Sequence, residues 1–399
     1  MKRLIPILLA YCLHSIAHAE ELVFAPVQSV TTATSGVFLH LDPSGRRSIA
    51  ISAGAVAVVW EDNRSGKSAI YLASRVAGDN TFSAPRKISQ QLPAYEPVIA
   101  ALSDGRFLIG WEEDQQVWLR VADLDKNGPA LRLGDMRSQQ VSLATNTRGK
   151  AMAVWSQGNK PKFYIYTADL NIDGRQIQTT APRLVDSSND KSQQLYPVIA
   201  LSRQGSVVAW EDRRQGATRI FSAFAPNDKP FQAYQVINEF KSSPNRKYGK
   251  GSGAMRPALA SNHEQLIIAA WMDKRNWRSG YDVYTAPSAN GGEAFGKNEQ
   301  AQDMFAENIP QWHATVALRA QDNVAAVAWD DTRNDNPDVF YSLRSNGQWS
   351  DDYELAGATG PGRQSNPSIT FDDDGVLHAL WLNKVDGQSS LQYTHSLPP

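Results

Sequence analysis

Seven tryptophans, at positions 60, 111, 155, 210, 271, 329 and 381, recur in one context at spacings of 51, 44, 55, 61, 58 and 52 residues. The clearest copy is Val207-Val208-Ala209-Trp210-Glu211-Asp212-Arg213-Arg214. VAVVWEDNR ending at Arg64, LIIAAWMDKR ending at Arg275 and VAAVAWDDTR ending at Arg333 repeat it, with weaker copies around Trp111, Trp155 and Trp381. A supersecondary unit of about 50 residues cannot bury its own apolar face, so units of this length must stack on one another.

Each unit follows the same grammar. A short strand opens with proline in four units: Pro97-Val98-Ile99-Ala100, Pro197-Val198-Ile199-Ala200, Pro257-Ala258-Leu259-Ala260 and Pro367-Ser368-Ile369-Thr370. A tight turn such as Asp104-Gly105 or Asp374-Gly375 leads to a second strand that ends on the marker tryptophan. After a polar loop, a third strand carries an aromatic, as in Ile70-Tyr71, Ile220-Phe221 and Val283-Tyr284. Asn127-Gly128, Asp173-Gly174, Asn290-Gly291 and Asn346-Gly347 then supply hairpin turns into a fourth strand. Four short strands per repeat with no helical period predict an all-β, seven-bladed β-propeller of four-stranded antiparallel blades. Phe24-Ala25-Pro26-Val27-Gln28-Ser29-Val30 is similar to Phe82-Ser83-Ala84-Pro85-Arg86-Lys87-Ile88, a fourth strand, while the last unit stops after its third strand. The N-terminal strand is therefore expected to complete the last blade against residues 391–395, leaving no open edge.

Lys2 and Arg3 precede an apolar run from Leu4 to Leu13, and Ala17-His18-Ala19 is a small-x-small cleavage site. Residues 1–19 are thus expected to be a signal peptide, with one propeller domain over residues 20–399. The only cysteine, Cys12, lies inside that leader behind bulky Tyr11, so neither lipid attachment nor disulfide chemistry is expected. Removing Lys2 and Arg3 leaves 38 bases against 41 acids, a net charge of −3, which gives no global field for nucleic acid. No later stretch approaches the roughly 20 apolar residues of a membrane span. The expectation is an exported protein, periplasmic or secreted, working as a monomer.

In a four-stranded meander the tight turns share one face of the ring and the long connections the other. Loops carried on a rigid scaffold are where binding groups usually sit. The longest run from Asn238 to Met255 and from Lys297 to Trp312, both beside the fifth blade. The first, with Arg246, Lys247 and Tyr248, should adjoin the loop carrying Lys274, Arg275, Trp277 and Arg278. That basic and aromatic patch suits an acidic glycan or a protein partner, or else is a solvated loop. The pairs Asp62 and Arg64, Asp212 and Arg214, Asp273 and Arg275, and Asp331 and Arg333 recur around the ring, as a repeated structural job requires. Residues 330–338 are rich in oxygen ligands, but Arg333 in their midst and the lack of EF-hand spacing favour a capped turn over calcium. Gly66-Lys67-Ser68 lacks the glycine and helix of a phosphate loop, Gly251-Ser252-Gly253 lacks nucleophile-elbow spacing, and no two histidines have metal-binding spacing. No cofactor or metal is expected.

Ser288-Ala289-Asn290-Gly291-Gly292-Glu293-Ala294-Phe295 resembles the Asp-box, S-x-D-x-G-x-T-W, of sialidase-like (BNR-repeat) propellers, with degenerate versions ending at Phe82 and Trp349. The W-x-D-x-R pattern is also similar to bacterial secreted members of that superfamily. The resemblance implies a propeller, an extracytoplasmic location and often glycan binding. Catalytic sialidases add an Arg-Ile-Pro segment, an arginine triad, a Tyr and Glu nucleophile pair and an acid Asp. No Arg-Ile-Pro occurs here, so the expected role is a binding module, with sialidase-type glycoside hydrolysis as the alternative.

Overall fold

The computed structural model describes residues 20–41, 44–134, 137–159, 162–188, 192–239, 253–276, 280–303 and 308–398. Their strands form seven antiparallel sheets. Blade 4 shows the common plan: Gln194–Leu201 innermost, then Gly205–Asp212, Arg219–Pro226 and outermost Gln235–Val236. Blade 7 has Arg363–Phe371, Leu377–Val385 and Gln388–His395, and its outer strand is Gln28–Ser29 from the other end of the chain. Gln28 pairs with Tyr393 and Ser29 with Gln392, flanked by Ala25 N–H to His395 O and Val30 N–H to Leu391 O, both 2.9 Å. The expected closure is therefore observed, and the edge of blade 7 is covered.

The ring is held by apolar seams between neighbouring blades. All seven marker tryptophans are fully buried, and each indole packs against the preceding blade. Trp111 clusters with Ile70 and Leu72 of blade 1, Trp271 with Ile220 and Phe224 of blade 4, and Trp60 with Leu380, Leu391 and Tyr393 of blade 7. The last seam makes the stack a ring. An indole buried this deeply contributes about 3–5 kcal/mol relative to alanine.

A buried indole N–H also needs an acceptor. Side chains two apart on a strand share a face, so the residue at tryptophan plus two is in reach. Trp60, Trp210, Trp271 and Trp329 donate to Asp62, Asp212, Asp273 and Asp331 at 2.8, 3.2, 2.9 and 3.0 Å. Each aspartate also accepts the N–H of the arginine two residues further on, at 2.8 to 3.0 Å. The guanidinium folds back onto the carboxylate and lies over the third-strand aromatic: Arg64 on Tyr71 at 4.8 Å, Arg214 on Phe221 at 4.8 Å, Arg275 on Tyr284 at 3.8 Å and Arg333 on Phe340 at 3.9 Å. Blades 2 and 3 lack the arginine but keep the acceptor, with Trp111 donating to Glu113 at 2.8 Å and Trp155 to Gln157 at 3.0 Å. Blade 7 departs from this plan. Asn383 accepts from Gln364 instead, and the Trp381 N–H has no partner among the described residues.

Two features differ from the sequence expectation. The prolines do not open the innermost strands, which begin earlier, as in Ala94–Ala101 and Ala254–Ser261. Pro97, Pro197, Pro257 and Pro367 sit inside a register shift, between Tyr95 and Val98, Leu195 and Val198, Met255 and Ala258, and Ser365 and Ser368. At such a bulge a missing N–H forfeits no ladder bond. The innermost strand of blade 1 is also broken, into Leu39–His40 and Ile49–Ser52. The described part of the intervening segment, residues 44–48, crosses the central channel. Gly45, at φ 90°, is required there because a Cβ would come within 2.3 Å of Pro257 O and Val198 Cγ1. Arg47 O accepts from Ile99 N–H at 2.9 Å, and Ser48 N–H donates to Ser368 Oγ at 3.0 Å. The plug is thereby tied to blades 2 and 7.

The turn after Asp282–Ser288 closes on its own side chains, with Gly292 N–H on Ser288 Oγ at 2.9 Å and Ala294 N–H on Asn290 Oδ1 at 3.0 Å.

The clamp is expected to be strongest where it carries charge. Asp273→Ala, which strips the buried Arg275 of its closest carboxylate and the Trp271 indole of its acceptor, should destabilise the protein by about 3–5 kcal/mol. Gln157→Ala, which removes only a neutral acceptor, should cost about 1–3 kcal/mol. Urea unfolding of both variants checks this, and equal losses would contradict the assigned role of the charge.

Candidate functional site at the channel mouth

On the long-loop face the channel is ringed by the bulge residues Glu96, Gln140, Tyr196, Arg256, His313 and Asn366, one from each of blades 2 to 7. All six have φ between 51° and 60°. A residue other than glycine in this left-handed region costs on the order of 1 kcal/mol, and glycine or asparagine reduces that strain. A purely geometric demand would therefore select those two types. Five of the six positions hold Glu, Gln, Tyr, Arg or His instead, so the side chains themselves are what distinguishes this ring.

The residue directly after each marker tryptophan points away from the indole, toward the following blade. In four blades it accepts the N–H of that blade's bulge residue. Glu61 accepts from Glu96 at 3.4 Å, Glu112 from Gln140 at 2.6 Å, Glu211 from Arg256 at 2.7 Å and Asp330 from Asn366 at 2.9 Å. Between blades 3 and 4, Gln140 Oε1 takes over, accepting from Ser156 Oγ at 3.1 Å and Tyr196 N–H at 2.9 Å. The strained bulges are thus stapled from one blade to the next.

Above the staples the side chains converge. The Arg256 guanidinium lies over the Tyr196 ring at 3.7 Å. His313 Nδ1 is 2.6 Å from Asp330 Oδ1. Arg46, from the plug, pairs with Glu96 and stands 3.6 Å from Glu112, while His40 Nε2 is 4.0 Å from Glu96. Trp312 and Tyr95, each next to a bulge residue, are 38% and 44% exposed, and the Trp312 ring packs on Tyr281 at 5.2 Å.

Burial raises Glu61 to about 7, and the charges of Glu96 and Glu112 add to the effect. Burial also pushes Glu112 and Glu211 upward, against the pull of Arg46 and of the Arg256 N–H respectively. His40 is held below its ordinary value by burial, and the charges of His313, Arg46 and Arg256 add to this against the pull of Glu96. The mouth is therefore a mixed site, with two arginines, carboxyls reluctant to ionise, and exposed aromatics.

The patch expected from the sequence maps only in part. Arg246, Lys247, Tyr248, Trp277 and Arg278 lie outside the described residues. Lys274 places Nζ over the Tyr281 ring at 5.6 Å, at the rim of this site. Arg275 turns inward, where it binds Asp273 at 2.7 Å and Asn298 at 2.8 Å. In the 330–338 segment, Asp331 is occupied by the clamp, Asp330 by His313 and Asn366, and Asp338 by Asn334 and Gly360. Among the described residues no three His, Cys, Asp or Glu side chains gather as a metal site would require. Sequence reading missed the bulge ring and its carboxylate staples. The signal was present as a polar residue before each strand-entry proline and a Glu or Asp directly after the tryptophan.

No protein-family model matches the chain, and no curated protein matches it in sequence. Among solved structures it is similar to a protein of unknown function from Dyadobacter fermentans, at TM-score 0.51 and 11% identity over 93% of this chain and 99% of that one. A puromycin-hydrolysing peptidase from Mycobacterium tuberculosis aligns at TM-score 0.50 and 12% identity over 92% of this chain and 55% of that one. The NanB sialidase of Streptococcus pneumoniae aligns at TM-score 0.48 and 11% identity, over 93% and 70%. At such identities the likeness is one of fold, and it agrees with the propeller that the sialidase-like resemblance implied.

The pH dependence of stability tests the environment of Glu61. Its folded pKa is raised from 4.5 to about 7, so its stabilising contribution is full below the unfolded value and is lost as pH rises through the folded one. Glu61→Gln should remove a fall in unfolding free energy on the order of 2–3 kcal/mol across that window. Urea titrations of wild type and variant at both ends of the window measure it, and parallel curves would reject the assignment.

Proposed function

We propose that this protein is a binding propeller whose ligand docks over the channel mouth on the long-loop face, and that the ligand is a glycan bearing anionic groups. The observation that carries this reading is the Arg256–Tyr196 stack, held on strained backbone beside the exposed Trp312 and the half-buried Tyr281 it packs on. Glu211 links the two, since it accepts from Arg256 N–H and its charge also acts on the Tyr281 hydroxyl. Aromatic faces suit the apolar faces of sugar rings. A planar guanidinium suits a carboxylate or sulfate, which it can grip with two parallel hydrogen bonds. Lys274 supplies a second cation at the rim. Arg246, Lys247, Tyr248, Trp277 and Arg278 lie outside the described residues and are kept in the proposal on their sequence alone.

The test is binding of the purified chain to acidic and neutral glycans on one array. Arg256→Gln and Trp312→Ala should each weaken acidic-glycan binding about tenfold or more. Tyr196→Gly should also weaken it while keeping or raising thermal stability, because it relieves left-handed strain of about 1 kcal/mol. Binding that is no tighter to acidic than to neutral glycans, or unchanged in all three variants, would overturn the reading.

Hydrolysis is the second reading. The observation for it is a carboxyl held protonated near neutrality, Glu61, with Glu96 and Glu112 close by, an arrangement that could divide acid and base roles. It requires release of sugar from a bound glycan that is lost in Glu61→Gln and in Glu96→Gln. Absence of release from any glycan the protein binds would dispose of it.

A further inference from the structure

Below the plug the channel widens into a cavity of about 240 Å³ that opens on the tight-turn face, away from the mouth. That volume has room for several waters or a small ion. It fits a small ion with part of its hydration shell.

The cavity has one unneutralised cation. Arg47, carried by the plug, lines it, and its one hydrogen bond among the described residues runs to Leu259 O at 3.3 Å. Several buried arginines elsewhere in the ring are ion-paired: Arg214 with Asp186 and Asp212, Arg275 with Asp273, Arg333 with Asp331 and Asp352. Burial pushes Arg47 below the ordinary arginine value, with no carboxylate to offset it. The imidazole of His263 also belongs to the lining. His263, at φ 62°, has a buried Nδ1 with no hydrogen-bond partner among the described residues. Burial and then the Arg47 charge keep its imidazole neutral, leaving one ring N–H to donate. Asp373 also lines the cavity and its charge acts on His263, but it makes no ion pair with Arg47 among the described residues. The hydroxyls of Thr145 and Ser261 already donate to Ala101 O and Leu201 O, both at 2.6 Å. The guanidinium is thus the charged donor of the cavity, and the imidazole stands beside it in the lining.

We propose that this cavity binds one small inorganic oxyanion, of phosphate or sulfate size, gripped by Arg47 with His263 as the second donor. A planar fork of N–H groups matches two oxygens of such an ion better than a spherical halide. The anion would offset the Arg47 charge directly, and so would hold the plug in place. This site lies on the opposite face from the glycan surface and does not depend on it.

The experiment uses the full chain with sodium sulfate, sodium phosphate and sodium chloride at matched ionic strength. Sulfate or phosphate should raise the melting temperature saturably, chloride should not, and equilibrium dialysis with labelled anion should give about one per chain. Arg47→Met should lose the response, with affinity down about tenfold or more, and Arg47→Lys should retain a weakened one. Should Arg47→Met fail to fold, His263→Ala serves in its place, with a loss of about threefold or more. No saturable oxyanion response in wild type, an equal response to chloride, or a wild-type response in Arg47→Met would each overturn the proposal.

Discussion

The structure depends on one recurring interaction, a fully buried indole whose N–H is satisfied by the side chain two residues further along the same strand. The indole supplies the apolar mass that fills the seam to the preceding blade. Left unbonded, its N–H would carry a desolvation penalty of about 1–3 kcal/mol. The pleat of a strand puts residues i and i+2 on one face, so an acceptor at that spacing is the simplest remedy. Aspartate fills the role in four blades, and its remaining lone pairs then bind the following loop and an arginine. Packing, strand end and loop shape are thereby set by three residues. Glutamate and glutamine perform the first part of this job in blades 2 and 3.

Much of the ring was readable for this reason. The tryptophan with its acceptor is short, local and repeated, and the alternation of each strand is fixed by burial on both sides. Even the closure was visible, because the segment from Phe24 to Val30 is patterned like the fourth strand of blade 1. What escaped was non-local. Nothing in Glu96, Tyr196 or Arg256 taken singly marks it as facing a channel, since that follows from a bulge whose backbone is stapled by a side chain one blade away. The proline after each was visible but suggested a strand start, because a missing N–H reads the same at a strand end and at a bulge. The plug escaped likewise. Its Pro43-Ser44-Gly45-Arg46-Arg47 run looks like any surface turn, and only the width of a seven-fold ring shows that there is a space for it to enter.

The same strands therefore carry two networks of opposite character. On one side of each second strand the indole seals a dry seam, and in four blades the next residue reaches from the other side toward the mouth and fixes the neighbouring blade's bulge. The first network is an apolar seam whose indole N–H groups are bound by side chains of their own strand. The second contains Glu61, Glu112 and Glu211, whose raised affinities for protons come from burial. A change of protonation at the mouth thus acts on contacts between blades, while the seams stay intact. This separation lets the strained, polar residues of the ring vary in type without loosening the scaffold that displays them.

The outer strand of blade 7 has consequences for how the chain reaches its final form. Ser29 and Gln392 are 363 positions apart, so their pairing has among the largest loop-closure entropies in the molecule and is favoured only after the intervening sheets are already in place. During synthesis the early segment emerges long before its partner exists, and it must wait as an unpaired strand through almost the whole of translation. Its brevity, two residues in regular pairing, and its polar Gln28 and Ser29 suit such a wait, because a longer and more apolar ribbon would invite association with other nascent chains.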